Sequence, residues 1–125
     1  MAKRYLLDTN VIIDYSSNKL TSKGQTWIEN IIDSDSKISI ITKIELLGFS
    51  IVPKEIEIFT ENVEIIGLEQ NIVNETIHLR KKYRCKLPDA IIAATAITNN
   101  YILISRNISD FKKITELQTI NPYDL

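Results

Sequence analysis

Residues 4–15 read RYLLDTNVIIDY, and the chain changes character at Asp8. Tyr5 to Leu7 form a short apolar run suited to a strand, and Thr9 or Asn10 can then cap a helix that continues to about Tyr15. The same handover from strand to helix recurs downstream. Trp27, Ile28, Ile31 and Ile32 fall at helical spacing, and Lys37 to Ile41 follows as a strand rich in β-branched residues. Ile44, Leu47 and Ile51 carry a helical stripe up to Pro53, and Val63 to Ile66 is the next strand. Leu68, Ile72, Val73 and Ile77 stripe a helix that runs toward Tyr83. Pro88 opens another through Ile97, Asn99–Asn100 close it, Tyr101 to Ile104 reads as a strand, and Thr119–Ile120 is a last, very short one. Strands alternating with helices predict an α/β fold with a parallel sheet covered on both faces. In such sheets ligands bind beyond the carboxyl ends of the strands. Asp8, the segment Thr42–Glu45 and the segment Ser105–Asp110 all fall at such ends.

The chain has 125 residues, 44% of them hydrophobic, which predicts a single domain over residues 1–125 with a substantial core. Its formal charge of −1 provides no global basic field, so nucleic acid would have to be held by a local patch or through cations. Cys85 is the only cysteine and cannot form an internal disulfide, which fits a reducing compartment. Residues 1–25 lack the uninterrupted apolar segment of a signal peptide, and no stretch of 18 apolar residues occurs, so the expectation is a cytoplasmic protein without a membrane span.

Four acids stand out by setting. Asp8 ends the first strand, where it can bind a ligand or simply cap the helix. A phosphatase that uses a first-strand aspartate would need a second carboxylate two positions on, and that position is Asn10. Glu45 lies among Ile41, Ile44, Leu46, Leu47 and Phe49, where a carboxylate needs a partner or a water-exposed edge. Asp89 follows Pro88 in the first turn of PDAIIAATAI, a place where acids also complement the helix dipole by about 0.3–1 kcal/mol. Asp110 in SRNISDF is the fourth, with Asn107 beside it as an alternative neutral ligand, and both also suit turn chemistry. If three of these carboxylates converged to about 5 Å, each pair would repel by roughly 3 kcal/mol at an effective dielectric of 20, about 10 kcal/mol in all. That rivals the stability of a whole domain. Convergence therefore implies protons or a cation, and hard oxygen donors without His or Cys suit Mg²⁺ or Mn²⁺ rather than Zn²⁺.

Supporting polar groups are Thr9, Asn10 and Ser105, of which Thr9 can orient a neighbouring carboxylate. Asp14 is six positions beyond Asp8, about 120° away on a helix, and stays outside the site. The basic run Arg80, Lys81, Lys82, Arg84 and Lys86 precedes Asp89; it reads either as a solvated helix end or as a rim that tracks phosphates, with Arg106 as a second element of that rim. His78 has no Cys or His partner at metal spacing and reads as a surface residue.

In the strings RYLLDTNVIIDY, ITKIELLGF, KLPDAIIAATAI and ISRNISDF the chain resembles the PIN-domain nucleases, and in this short form it is most similar to the VapC toxins of bacterial toxin-antitoxin pairs. The resemblance extends from Tyr5 to the terminal NPYDL. It implies a three-layer α/β/α fold with a central parallel sheet, and a divalent-metal-dependent endoribonuclease with catalytic acids Asp8, Glu45 and Asp89. Asp110 is the fourth catalytic acid; the fourth metal ligand is Asp110 or Asn107, left open because the segment carrying them departs from the family pattern. It further implies an RNA substrate, an antitoxin that covers the nuclease groove, and a homodimer. Ile51, Val52, Ile56 and Phe59, around Pro53, are the candidate apolar groove for that partner, or else an ordinary core face. Readings from other classes are a noncatalytic PIN-like binding module, a free-standing RNA-processing nuclease and a phosphoryl-accepting signalling domain.

Overall fold

The computed structural model describes residues 3–125. In chain order the elements are β1 (Tyr5–Leu7), α1 (Thr9–Ser16), α2 (Ser22–Ile32), β2 (Ser36–Ser39), α3 (Ile40–Leu47), α4 (Lys54–Asn62), β3 (Glu64–Ile66), α5 (Gln70–Tyr83), α6 (Leu87–Asn99), β4 (Ile102–Ile104), α7 (Ile108–Phe111) and β5 (Thr119–Ile120), with a final 3₁₀ turn at Pro122–Asp124. The five strands form one sheet in the order β3-β2-β1-β4-β5, and each pairing is parallel. Chain progression runs outward from β1 through β2 to β3, then returns to the other side of β1 with β4. The strand order thus reverses between β1 and β4, and a crevice opens beyond the carboxyl ends at such a switch point.

Side chains on a strand alternate between faces, and here they feed two cores. Leu6 and Leu103 pack into one cluster with Ile72 and Leu79 of α5 and Ala90, Ile92, Ala93 and Ala94 of α6. Leu7 and Ile104, one position on, pack into the other with Val11 and Ile12 of α1, Ile28 and Ile31 of α2, and Ile56 of α4. The sheet is therefore sandwiched between helical layers, as the alternation of strand and helix predicts.

Several boundaries differ from the expectation. The second strand ends at Ser39 rather than Ile41, because the Ser39 hydroxyl accepts the Ile41 backbone N–H at 3.1 Å and starts α3. The helical stripe expected to run to Ile51 stops at Leu47. Gly48 follows, where a Cβ would stand 2.8 Å from the Ile44 carbonyl oxygen, so the turn needs a glycine. Pro53 does not end a helix but precedes α4, whose first turn carries Glu55 and Glu57. The alternation EIEI hides that helix from a periodicity reading, although Pro and early acids are start signals. Leu68 lies outside α5 and is exposed. Asn100 closes α6 in the left-handed region at φ 59°, as its side-chain type allows. Among the described residues no helix is long and apolar enough to cross a membrane.

Candidate metal centre

Asp8 is buried at the carboxyl end of β1 and caps α1, its Oδ1 accepting the Thr9 backbone N–H at 2.8 Å. Its other oxygen accepts the Ser105 hydroxyl at 2.7 Å and the Asn10 amide at 3.2 Å. Ser105 follows β4 directly, and the Asp8 backbone N–H donates to the Ile104 carbonyl at 2.9 Å. The cap and the ligand readings of Asp8 are thus both available, because one carboxylate serves the helix start and faces the switch point together. Burial, and after it the Asp89 and Glu45 charges, push the Asp8 carboxyl above its ordinary range against the Ser105 and Thr9 hydrogen bonds.

Glu45 occupies the second turn of α3. Its Oε1 accepts the Thr9 hydroxyl at 2.6 Å, and that hydroxyl stands 3.2 Å from Oγ1 of the fully buried Thr42. Thr9 therefore ties the start of α1 to α3 at the site. Of the readings open for Glu45, the structure has the water-exposed edge: the residue is exposed, as are Ile44, Leu47 and Phe49, and its hydrogen-bond partner is Thr9 and not a lysine.

Asp89, half-buried in the first turn of α6, links the group. Burial raises its carboxyl above the ordinary range, Asp110 and Glu45 add to the rise, and Lys86 and Lys113 oppose it. Asp89 feels the charges of Asp110 and Glu45, and Asp8 feels those of Asp89 and Glu45. Asp110 is exposed on α7, and Asn107 is exposed before it, its backbone N–H donating to the Ser105 hydroxyl oxygen at 3.0 Å.

Among the described residues no three Asp, Glu, His or Cys side chains stand close enough to enclose an ion as placed. Like charges favour such a spread. A hydrated Mg²⁺ keeps several waters and binds through one or two carboxylates, so direct contact with three is not required of it. The donor chemistry fits a hard divalent cation: carboxylates oriented by hydroxyl and amide donors, mutually repelling, with Lys86 and Lys113 as the cations that offset Asp89.

The basic run divides on inspection. Lys82 pairs with Glu116, at 3.7 Å, and lies over the Tyr83 ring. Lys86 sits at the start of α6 within reach of Asp89. Lys81 is exposed in the last turn of α5, and Arg84 follows in the left-handed region at φ 56°. Arg106 is adjacent to the site: its backbone N–H donates to the Asn10 side-chain oxygen at 3.0 Å. The sequence reading places Thr42 beyond the second strand without giving it a role, and it does not include Lys113, which no spacing signal marks. It also left out Asp14, which is buried on α1 and accepts two hydrogen bonds from Arg106; its apolar neighbours Ile12 and Ile13 were the available signal. Of the candidate groove residues, Ile56 is core and Ile51 is open to solvent. A shallow apolar depression of about 470 Å³ lies there, lined by Ile13, Phe49, Ile51, Pro53 and Ile56.

The family model of the PIN domain matches residues 5–117. The chain is 28% identical to a Rickettsia felis protein named ribonuclease VapC1, over 92% of this chain and 93% of that one. It is 33% identical to a Methanocaldococcus jannaschii protein of the same name, over 90% and 82%. The structure of a VapBC2 complex from Rickettsia felis bound to a promoter DNA fragment contains a chain that superposes with a TM-score of 0.77 at 28% identity, covering 94% of this chain and 97% of that one. The switch-point acids lie inside the matched region, and the chain belongs to the PIN domain family.

Proposed function

We propose that this protein is a divalent-metal-dependent endoribonuclease, the toxin of a type II toxin-antitoxin pair. The observation that supports the chemistry is Asp8 beyond the end of β1, its oxygens held by Ser105, Asn10 and Thr9, with the charges of Asp89 and Glu45 both acting on it. The relatives named ribonuclease VapC support the RNA substrate, and the VapBC complex supports an antitoxin partner.

Asp8, Glu45 and Asp89 would hold Mg²⁺ or Mn²⁺, with Asp110 or Asn107 completing the set. When bound, such an ion offsets charge on a phosphodiester and lowers the pKa of a coordinated water. The chain's own residues prepare this arrangement. Ser105 and Asn10 fix one Asp8 oxygen, the Thr9 backbone fixes the other, and the Thr9 hydroxyl orients Glu45. Lys86, Lys81, Arg84 and Arg106 form the rim that receives the phosphate backbone, while Lys82, paired with Glu116, contributes least. The antitoxin seats an apolar segment at the depression around Ile51, and the toxin assembles as a homodimer in the cytoplasm.

The test is cleavage of purified RNA with Mg²⁺ or Mn²⁺ and with chelator. Internal cuts that need metal and vanish in Asp8→Asn and Asp89→Asn support the reading. RNA that stays intact under every metal condition with a folded protein would leave a noncatalytic PIN module.

A further inference from the structure

Asp14 is a carboxylate at 2% exposure on the apolar layer of α1, where an unpaired charge would be costly. It is held from two directions. Arg106 Nη1 donates to both its oxygens at 3.1 and 3.0 Å, and the Tyr123 hydroxyl donates to Oδ2 at 3.0 Å. Tyr123 is itself fixed, since its backbone N–H donates to the Asn121 side chain at 3.0 Å in the closing 3₁₀ turn. These contacts span |i−j| of 92 and 109, so chain proximity does not create them.

The arrangement acts on Arg106. A guanidinium carries five N–H donors in a fixed fork, and Asp14 engages only Nη1. Among the described residues the other N–H groups have no protein acceptor, and about half of the side chain, 48%, stays in water. The Arg106 backbone is meanwhile bonded to Asn10, whose amide donates to Asp8. A buried anion thus holds one edge of a guanidinium and leaves the other open to solvent, on a residue whose backbone is tied to the acidic centre through Asn10.

We infer that Asp14 and Tyr123 are positioning residues that hold Arg106 as a phosphate clamp beside the acidic site. The inference rests on the nuclease reading for its ligand, an RNA phosphate. Without Asp14 the flexible Arg106 side chain would have to be ordered at the moment of binding, which weakens the complex.

The test is RNA affinity across a salt series, in chelator so that nothing is cut, for wild type, Arg106→Ala, Asp14→Asn, Tyr123→Phe and the Arg106→Ala/Asp14→Asn double variant, with unfolding and Mn²⁺ affinity measured alongside. Arg106→Ala is expected to weaken binding by about tenfold and to reduce the slope of log affinity against log salt by about 0.7, one single-strand phosphate contact. Asp14→Asn reproduces most of that loss, and Tyr123→Phe, which removes one hydroxyl, reproduces part. Mn²⁺ affinity stays within about twofold. In the Arg106→Ala background Asp14→Asn has no further effect on RNA affinity, although it still lowers stability. A purely structural Asp14 predicts the opposite: stability falls and RNA affinity with its salt slope stays unchanged in both single variants at Asp14 and Tyr123. That result overturns the clamp while leaving metal-dependent cleavage by the wild type intact. Wild-type protein that neither binds nor cuts RNA overturns the nuclease reading and the clamp with it.

Discussion

Replacing Asp8 separates its structural work from its electrostatic work. In Asp8→Ala the helix α1 loses its cap, at about 1 kcal/mol. The fully buried Ser105 hydroxyl and the Asn10 amide lose their acceptor as well. An orphaned buried donor costs about 1–3 kcal/mol, and removing a carboxylate repelled by Asp89 and Glu45 returns part of it. The net expectation is a loss of about 2–3 kcal/mol, or roughly 8–12 °C in Tm for a domain of this size. Asp8→Asn keeps an oxygen for the Thr9 N–H, and Asn caps as well as Asp. Its amide N–H₂ faces Ser105, whose hydroxyl oxygen already accepts from Asn107 and has a second lone pair. The Ser105 hydroxyl and the Asn10 amide still lose the oxygen they share, so the loss should be smaller than in Asp8→Ala by about the 1 kcal/mol of the retained cap. The pH dependence has a definite sign. Because the folded Asp8 carboxyl is raised, the folded state holds its proton more tightly than the unfolded chain, and stability is lost as pH rises through the raised value. Wild type should therefore gain on Asp8→Asn as pH falls from 7 toward the ordinary carboxylate range. The assay is denaturant unfolding in chelator from pH 7 to 4. Asp8→Asn as destabilising as Asp8→Ala, with no pH trend between wild type and Asn, would refute the reasoning.

Other substitutions follow from the contacts. Thr9→Ala removes the hydroxyl that orients Glu45 and should lower RNA cleavage by about tenfold at a stability cost near 1 kcal/mol, with Thr9→Ser restoring most activity in the same single-turnover assay. Lys82→Ala should leave the salt dependence of RNA binding unchanged, because that ammonium pairs with Glu116, whereas Lys86→Ala should flatten it. Ile51→Asp, at a side chain 87% exposed, should leave unfolding and cleavage unchanged but release ribonuclease activity in cells that co-express the antitoxin.

The fold was legible wherever local chemistry and burial agreed. Strand β1 and the Pro88 start of α6 each combine a propensity with a consistent apolar pattern, so a one-dimensional reading places them, whereas the cap of α1, expected at Thr9 or Asn10, is Asp8, which the sequence offered as cap or ligand. It failed at Ser39 and Pro53, where one side-chain cap and one proline redirect the chain against the surrounding pattern. At the candidate site, Asp8 and Asp89 were visible because strand ends and helix starts announce themselves. The role of Asp14 was not, since its partners Arg106 and Tyr123 come from segments about a hundred residues away that only the sheet order brings together. Lys82 illustrates the reverse, a charge that looked free in the sequence and is tied to Glu116 in the fold.

The central claim is that Asp8 at the end of β1, Glu45 of α3 and Asp89 of α6 jointly hold a divalent cation. Calorimetric titration of Mn²⁺ into chelator-stripped protein at pH 7.5 tests it without reference to any RNA. The account predicts saturable binding by wild type, weakened at least about tenfold, roughly 1.4 kcal/mol, in Asp8→Asn, Glu45→Gln and Asp89→Asn, and retained in Asp14→Asn. Equal Mn²⁺ affinity in wild type and in all three site variants would contradict it.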